Sequence, residues 1–270
     1  MKLNKSRTVD FNGLSSVPTP DATDTWQPVP HHEIMTTAIN QAKSRNLEID
    51  ELKYSVVDVY KKKVKQPYQD MFARMYMKST NGVYRNMLGI RNSHNQKYGA
   101  SACSGGSVIV CSNGMFTAEH MISVQHRPNV RKKFTDAISN MFDKVIQSWI
   151  KNEYRYNGYK ATKLSDSDFQ QLLGAAVIHK AICPSKSLKV ANEYYNPRHD
   201  AFADRNAWSA FNAFTEIHKE SPLRLDKPAQ RGQALHSVFD RFCSNAIDHK
   251  VINHVTEPES LKSLLTINAS

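Results

Sequence analysis

The chain has 270 residues, of which 40% are apolar and 23% charged, and it carries a formal net charge of +11. This composition excludes a disordered chain and suffices for one large domain or two small ones around a real core. It also excludes a helical membrane span, since no apolar run approaches the roughly 20 residues that one needs.

Residues 1–7 are charged but have no apolar segment behind them, so a signal peptide is not expected. Four cysteines, Cys103, Cys111, Cys183 and Cys243, form no CxxC pair. That pattern points to reduced thiols in the cytoplasm rather than to disulfides or zinc. The positive charge is localised. The net charge is −1 over residues 1–50, +7 over 51–100, +5 over 101–200 and zero over 201–270. An excess confined to the middle of a chain is the electrostatic footprint of a phosphate-binding surface.

Residues 1–30 read as a flexible arm. Pro18, Pro20, Pro28 and Pro30 punctuate it and no hydrophobic period runs through it. Trp26 has the size to anchor the arm to the body. Residues 31–46 predict a helix, with Ile34, Ala38, Ile39 and Ala42 at helical spacing and Lys43 and Arg45 near its C-terminal end. His31-His32-Glu33 reads as a solvated helix start rather than a metal cluster. Residues 52–60 are β-rich and predict a strand.

Residues 71–91 predict a hairpin around Asn81-Gly82, the pair that best accommodates a two-residue loop. That loop sets Tyr76 opposite Met87, Met75 opposite Leu88, Arg74 opposite Gly89, Ala73 opposite Ile90 and Phe72 opposite Arg91. Alternation then puts Met71, Ala73, Met75, Met77, Leu88 and Ile90 on a core face. The other face holds Phe72, Arg74, Tyr76, Lys78, Arg85, Met87 and Arg91, with Lys78 and Arg85 as a like-charge pair that an anion would relieve. Residues 99–111 predict a further strand ending in the turn Ser112-Asn113-Gly114, for a meander of about four strands.

From Val130 the period becomes helical. Val130, Phe134, Ile138, Met141, Val145 and Trp149 mark a long amphipathic helix to about residue 153. Further helices are expected at 166–181, 186–194, 205–219 and 231–248, the first capped by Ser165 or Asp166. The fold class is α+β, an antiparallel β-meander in the N-terminal half packed with a mostly helical C-terminal half. The organisation is an arm at 1–30, a basic α+β domain at 31–160 and a helical region at 161–270.

No GxxxxGK(S/T), GxGxxG, HExxH, GxSxG or DxDxDG motif is present. Asp58, Asp70 and Glu119 are the main carboxylates near the basic section, and a metal-dependent nuclease would need them to converge. His94, His120 and His126 lie near the sheet with few acidic partners. No cofactor and no metal site is expected, and the reading leans away from an enzyme. For nucleic acid the pieces are denser. Lys61, Lys62, Lys63 and Lys65 follow the first strand; Phe72, Arg74, Tyr76, Lys78, Arg85 and Arg91 share the second hairpin face; His94 and Lys97 lie at its end; Arg127, Arg131, Lys132 and Lys133 open the long helix. Cations take phosphates and aromatics stack on unpaired bases. Three cations in the first turn of a helix oppose its dipole, and a bound anion would reverse that penalty. Residues 154–160 form a second basic-aromatic patch.

The segments Gly89-Ile-Arg-Asn-Ser-His94 and Ser107-Val-Ile-Val-Cys-Ser-Asn-Gly-Met-Phe116 resemble the central motif of the domain-of-unknown-function 932 family of phage and plasmid proteins. Ala207-Trp208 to Asn212-Ala-Phe-Thr-Glu216, with an Arg-containing helix around 231–242, resembles that family's C-terminal part. The likeness spans roughly residues 25–250. It implies a bacteriophage or other mobile-element origin and action in the bacterial cytoplasm, but no catalytic residue. The meander with its long following helix is also similar to single-strand-annealing recombination proteins, a likeness of fold alone.

The expected function is therefore non-catalytic nucleic-acid binding, single-stranded DNA above all, in replication, recombination and annealing, or genome protection. The alternatives are a phage inhibitor that binds a host defence or nucleic-acid enzyme, and the nuclease. The partner expected is nucleic acid, or on the second reading a host protein. A homo-oligomer stays open, and no membrane is involved.

Overall fold

Strand alternation and helical period divide this chain at about its middle, and the computed structural model follows that division. It describes residues 6–59, 68–78, 84–108, 113–219 and 226–247. In chain order these form β1 (Arg7–Val9), α1 (Phe11–Ser15), α2 (His31–Lys43), β2 (Ile49–Val59), β3 (Tyr68–Met77), β4 (Tyr84–Ser93), β5 (Ala100–Val108) and β6 (Asn113–Val124). The helices α3 (Val130–Ala161), α4 (Asp166–Ile178), α5 (Ser187–Tyr195), α6 (Ala207–Lys219) and α7 (Asp226–Phe242) follow. The result is an antiparallel six-stranded sheet in the order β1-β2-β3-β4-β5-β6, with most of the helices in the C-terminal half.

Each strand therefore pairs with its neighbours in sequence, as a meander should, but the sheet has six strands rather than four. The two extra ones carry weak local signals. β1 is three residues at one end of the sheet, pairing Val9 with Tyr54, too short to show a period. β6 begins at Asn113-Gly114, residues whose turn propensity reads as a loop. The N-terminal segment thus holds a strand and a short helix where only an arm was expected. Asp10 caps that helix through the Gly13 N–H at 2.7 Å.

The β3–β4 register is that of the two-residue loop. Tyr76 pairs with Met87, Met75 with Leu88, Arg74 with Gly89, Ala73 with Ile90 and Phe72 with Arg91, and the ladder runs on to Asp70 and Ser93. Asn81 and Gly82 themselves lie outside the described residues, as do Lys61, Lys62, Lys63 and Lys65.

The chain divides into two compact units. One takes the described parts of Met1–Ser79, Asn86–Ser104 and His120–Lys144; the other takes those of Thr80–Arg85, Gly105–Glu119 and Val145–Ser270. In the first, Met71, Ala73, Met75, Met77, Leu88 and Ile90 are buried, as are Ile34, Met35, Ala38 and Ala42 of α2 and Phe134, Ile138, Met141 and Phe142 of α3. Glu33 meets Arg131 at 2.7 Å, and Arg45 meets Asp143 at 2.8 Å and the Ser139 carbonyl at 3.0 Å. Both ties join residues twelve positions further along each chain segment, so α2 and the start of α3 run side by side in the same direction. In the second unit Tyr156, Tyr159, Phe169, Leu172, Tyr194, Trp208, Phe211, Phe214, Leu235 and Phe239 form the helical core. Ser165 and Asp168 close a capping box at the start of α4, the Ser165 N–H donating to Asp168 at 2.9 Å.

Met75 is fully buried on a central strand. Met75→Ala should lower unfolding free energy by about 2–5 kcal/mol in urea titrations, through lost burial and the cavity left behind. Lys132→Ala, on the exposed side of α3, should change it by no more than about 0.5 kcal/mol.

Candidate nucleic-acid interface

The cations expected to meet phosphate fall into two groups. On the sheet face opposite the apolar one, the register sets Ser55, Phe72 and Arg91 in one row and Lys53, Arg74 and Gly89 in the next. Arg91 lies 4.4 Å over the Tyr98 ring, and Phe72 sits 6.1 Å from Tyr98. The Arg74 guanidinium donates to the Tyr76 hydroxyl at 3.4 Å, while Lys53, which sequence reasoning missed, lies 5.4 Å over the Tyr76 ring. The cross-strand partner of Arg74 is Lys53, a signal that the β2–β3 register alone supplies.

Phe72, Arg74 and Arg91 are half-buried, but Tyr76 is only 2% exposed and offers no stacking surface. Arg85 is also half-buried and belongs to the second unit. Lys78 is exposed, but Glu48 pairs with its ammonium at 2.6 Å and raises its pKa. A carboxylate thus already answers the Lys78 charge for which a bound anion was invoked.

The second group is more open. Lys97, Arg127, Lys132 and Lys133 are exposed, and none is ion-paired with a described residue. Arg131 differs, because Glu33 of α2 holds it and raises its pKa. The loops carrying Lys97 and Arg127 touch: a Cβ at Gly99 would come within 2.2 Å of the Val124 carbonyl and 3.1 Å of the Gln125 nitrogen. That clash makes glycine necessary at 99 and brings the two loops together. Gln96 and Asn129, both with φ 67°, turn each loop through the left-handed region. The first turn of α3 contains no acid, so its N-terminal dipole adds to the positive potential there.

His94 does not belong to this surface. It is 1% exposed and stacks on His31 with ring centroids 3.9 Å apart. His31 is fully buried too, so the first residue of α2 faces the interior while His32 and Glu33 stay partly exposed. Its Nε2 donates to the Gln69 carbonyl at 3.0 Å, and its Nδ1 accepts from the Asn92 amide at 2.9 Å. The same amide donates to the Val29 carbonyl at 2.8 Å, and His94 Nε2 reaches that carbonyl at 2.9 Å. Burial, then the neighbouring His94, pull the His31 pKa down to about 3; burial and His94 likewise bring His126 to about 4. Asp70 accepts from the His94 N–H at 3.2 Å and the Asn95 amide at 2.7 Å, and burial raises its pKa. Asp58 instead accepts from Gln69 at 2.8 Å. Among the described residues no three His, Cys, Asp or Glu side chains are grouped to hold a metal ion.

The 154–160 patch is mostly interior. Tyr156 and Tyr159 are buried, Arg155 pairs with Asp240 at 2.8 Å, and the Tyr159 hydroxyl donates to Asp240 at 2.6 Å. Lys160 lies 5.6 Å over Trp208.

A family profile described as "Domain of unknown function (DUF932)" matches residues 22–239, most of the chain. The chain belongs to the DUF932 family. No curated protein and no solved structure matches it. Within this DUF932 fold, residues 89–94 supply the end of β4 with Arg91 and Asn92, then His94 just after it, and residues 207–216 are the buried greater part of α6. No helix among the described residues is long and apolar enough to cross a membrane.

Asn92 is fully buried, and its amide serves two acceptors. Asn92→Ala leaves His31 Nδ1 without a donor and the Val29 carbonyl with His94 alone, and should cost about 1–3 kcal/mol in thermal or urea unfolding.

Proposed function

We propose that this DUF932 protein binds nucleic acid, preferentially single-stranded DNA, without catalysis. The observation that carries this reading is the ridge of exposed cations Lys97, Arg127, Lys132 and Lys133, two of them on adjoining loops and two on the first turn of α3. Surface charges within a Debye length of about 8–10 Å act together, and a phosphate chain is the ligand whose charge spacing uses several at once. The half-buried Phe72, Tyr98 and Arg91 group supplies aromatic and guanidinium planes for unpaired bases, which favours single strands over duplex. On this reading the protein comes from a phage or another mobile element and serves replication, recombination and annealing, or genome protection in the bacterial cytoplasm. The basic tract Lys61, Lys62, Lys63 and Lys65 extends the cationic composition of the same chain region.

Fluorescence anisotropy with labelled single- and double-stranded oligonucleotides across a salt series tests the reading. Wild-type protein should bind single strands more tightly, with log affinity falling linearly in log salt. Arg127→Glu/Lys132→Glu/Lys133→Glu should flatten that slope by about 2–3, one increment per lost phosphate contact, while circular dichroism stays unchanged. Absence of binding at low salt, or an unchanged slope in the variant, refutes the ridge as a nucleic-acid surface.

A further inference from the structure

Residues 18–29 cross the end of the sheet without regular structure, and their polar contacts converge on one cluster of side chains. The Val29 carbonyl accepts from Asn92 at 2.8 Å and faces His94 Nε2 at 2.9 Å. The Pro18 backbone also lies against His94. The Gln27 N–H donates to the His126 carbonyl at 2.9 Å, and Trp26 meets the His126 ring edge-on at 6.4 Å. The segment is thus held where three histidines are buried together.

The hydrogen bonds fix the protonation of His31. Nε2 faces a carbonyl and must carry the proton, so Nδ1 is the bare acceptor that takes the Asn92 amide. A second proton on Nδ1 would point at the Asn92 NH₂, donor against donor. Turning the amide to offer its oxygen to His31 would set that oxygen against the Val29 carbonyl. Asn92 cannot satisfy a protonated His31 and Val29 together.

We propose that His31 is an acid-operated latch: a proton taken from solvent on Nδ1 displaces the Asn92 amide from Val29 and frees residues 18–29 from the end of the sheet. The surroundings reinforce the direction. His94 stacks on His31 from the loop after β4, His126 acts on both from the loop before α3, and His32 adds to them from α2 itself. The backbone carbonyls of Gln69, Val29 and Pro18 favour charged rings, but burial and mutual repulsion outweigh them. Of the neighbouring charges, Asp70 of β3 is engaged by His94 N–H and Asn95, Glu33 is held by Arg131, and Arg127 follows His126 with the same sign as an imidazolium.

The sign follows from linkage. With a pKa of about 3 when latched and 6.5 when released, His31 favours the latched form at neutral pH. That preference is lost as pH falls below 6.5 and continues to fall towards about 3. His126 and His94 act in the same sense, whereas Asp70, whose pKa burial raises, acts against them. At pH 5 the His31 term alone raises the released population about 30-fold over pH 7.5.

Hydrogen exchange of the full chain, followed by NMR and corrected for intrinsic rates, tests the latch. Protection of the Gln27 amide should fall about 30-fold between pH 7.5 and pH 5 while the amides of β3 and β4 keep theirs. In His31→Gln, whose side-chain oxygen still accepts from Asn92 but does not titrate, the fall in Gln27 protection between pH 7.5 and pH 5 should be about 30-fold smaller than in wild type, since only the His31 share is removed. Wild-type protein supplies a second check if that variant does not fold: at pH 7.5 the His31 ring should be the Nε2–H tautomer. Unchanged Gln27 protection at pH 5, simultaneous loss in β3 and β4, a fall in His31→Gln as large as in wild type, or an Nδ1–H tautomer would each overturn the proposal.

Discussion

Everything in the first unit follows from the register between β3 and β4. Side chains alternate along a strand, so a slip of one residue would exchange the two faces. Slipping β3 would carry Arg74 into the buried face and Met75 out of it, and slipping β4 would do the same to Arg91 and Ile90. Burying an unpaired guanidinium costs several kcal/mol, and exposing two large apolar side chains adds about 1.5–3 kcal/mol each. The observed ladder, with Met75 opposite Leu88 and Ala73 opposite Ile90, is therefore held by solvation on both faces.

That register also decides where the apolar face must end. Asn92 lies on the same face as Ile90 and Met71 but one step nearer the sheet's end, with its side chain still buried. An amide there is tolerable only if its hydrogen bonds are made inside the protein. His31 at the first residue of α2 and the Val29 carbonyl just before it supply them. The polar end of the sheet thus fixes where α2 begins and which path the preceding segment takes. Pro30 at the helix start offers no side-chain cap, so the His31 ring, bonded to Gln69 and Asn92, ties that end of α2 to the sheet.

The hairpin was legible because Asn81-Gly82 and the alternation of Met71, Ala73, Met75 and Met77 are local signals that agree. The helices from Val130 onward were legible for the same reason, since a 3.6-residue period needs no knowledge of distant residues. The histidine cluster was not. His31, the Asn92–His94 segment and His126 lie about 30 to 60 residues apart in sequence, and only the closed fold brings them together. A histidine at a helix start reads as solvated when its neighbours His32 and Glu33 are polar. Glycine at 99 held a usable hint, because small residues in a loop next to a strand often mark a close backbone approach. The pairing of Lys78 with Glu48 was hidden because it depends on β3 ending beside residue 48.

The carboxylates of the first unit are spent unevenly. Glu48 answers Lys78, Glu33 answers Arg131 and Asp143 answers Arg45, each at 2.6–2.8 Å. Exposed pairs of this kind contribute at most about 1 kcal/mol apiece, so stability alone gives little reason for where they lie. Their effect on the field is larger. They neutralise the cations that join α2, β3 and α3 to one another, and leave Lys97, Arg127, Lys132 and Lys133 unanswered on adjoining loops and the first turn of α3. Repulsion among those four, and between Lys132, Lys133 and the helix dipole, is an unfavourable term that the folded protein carries without internal compensation. A polyanion laid along them removes that repulsion and gains the freed counterions as well, which is why the nucleic-acid reading rests on these four residues rather than on the larger set of cations around them.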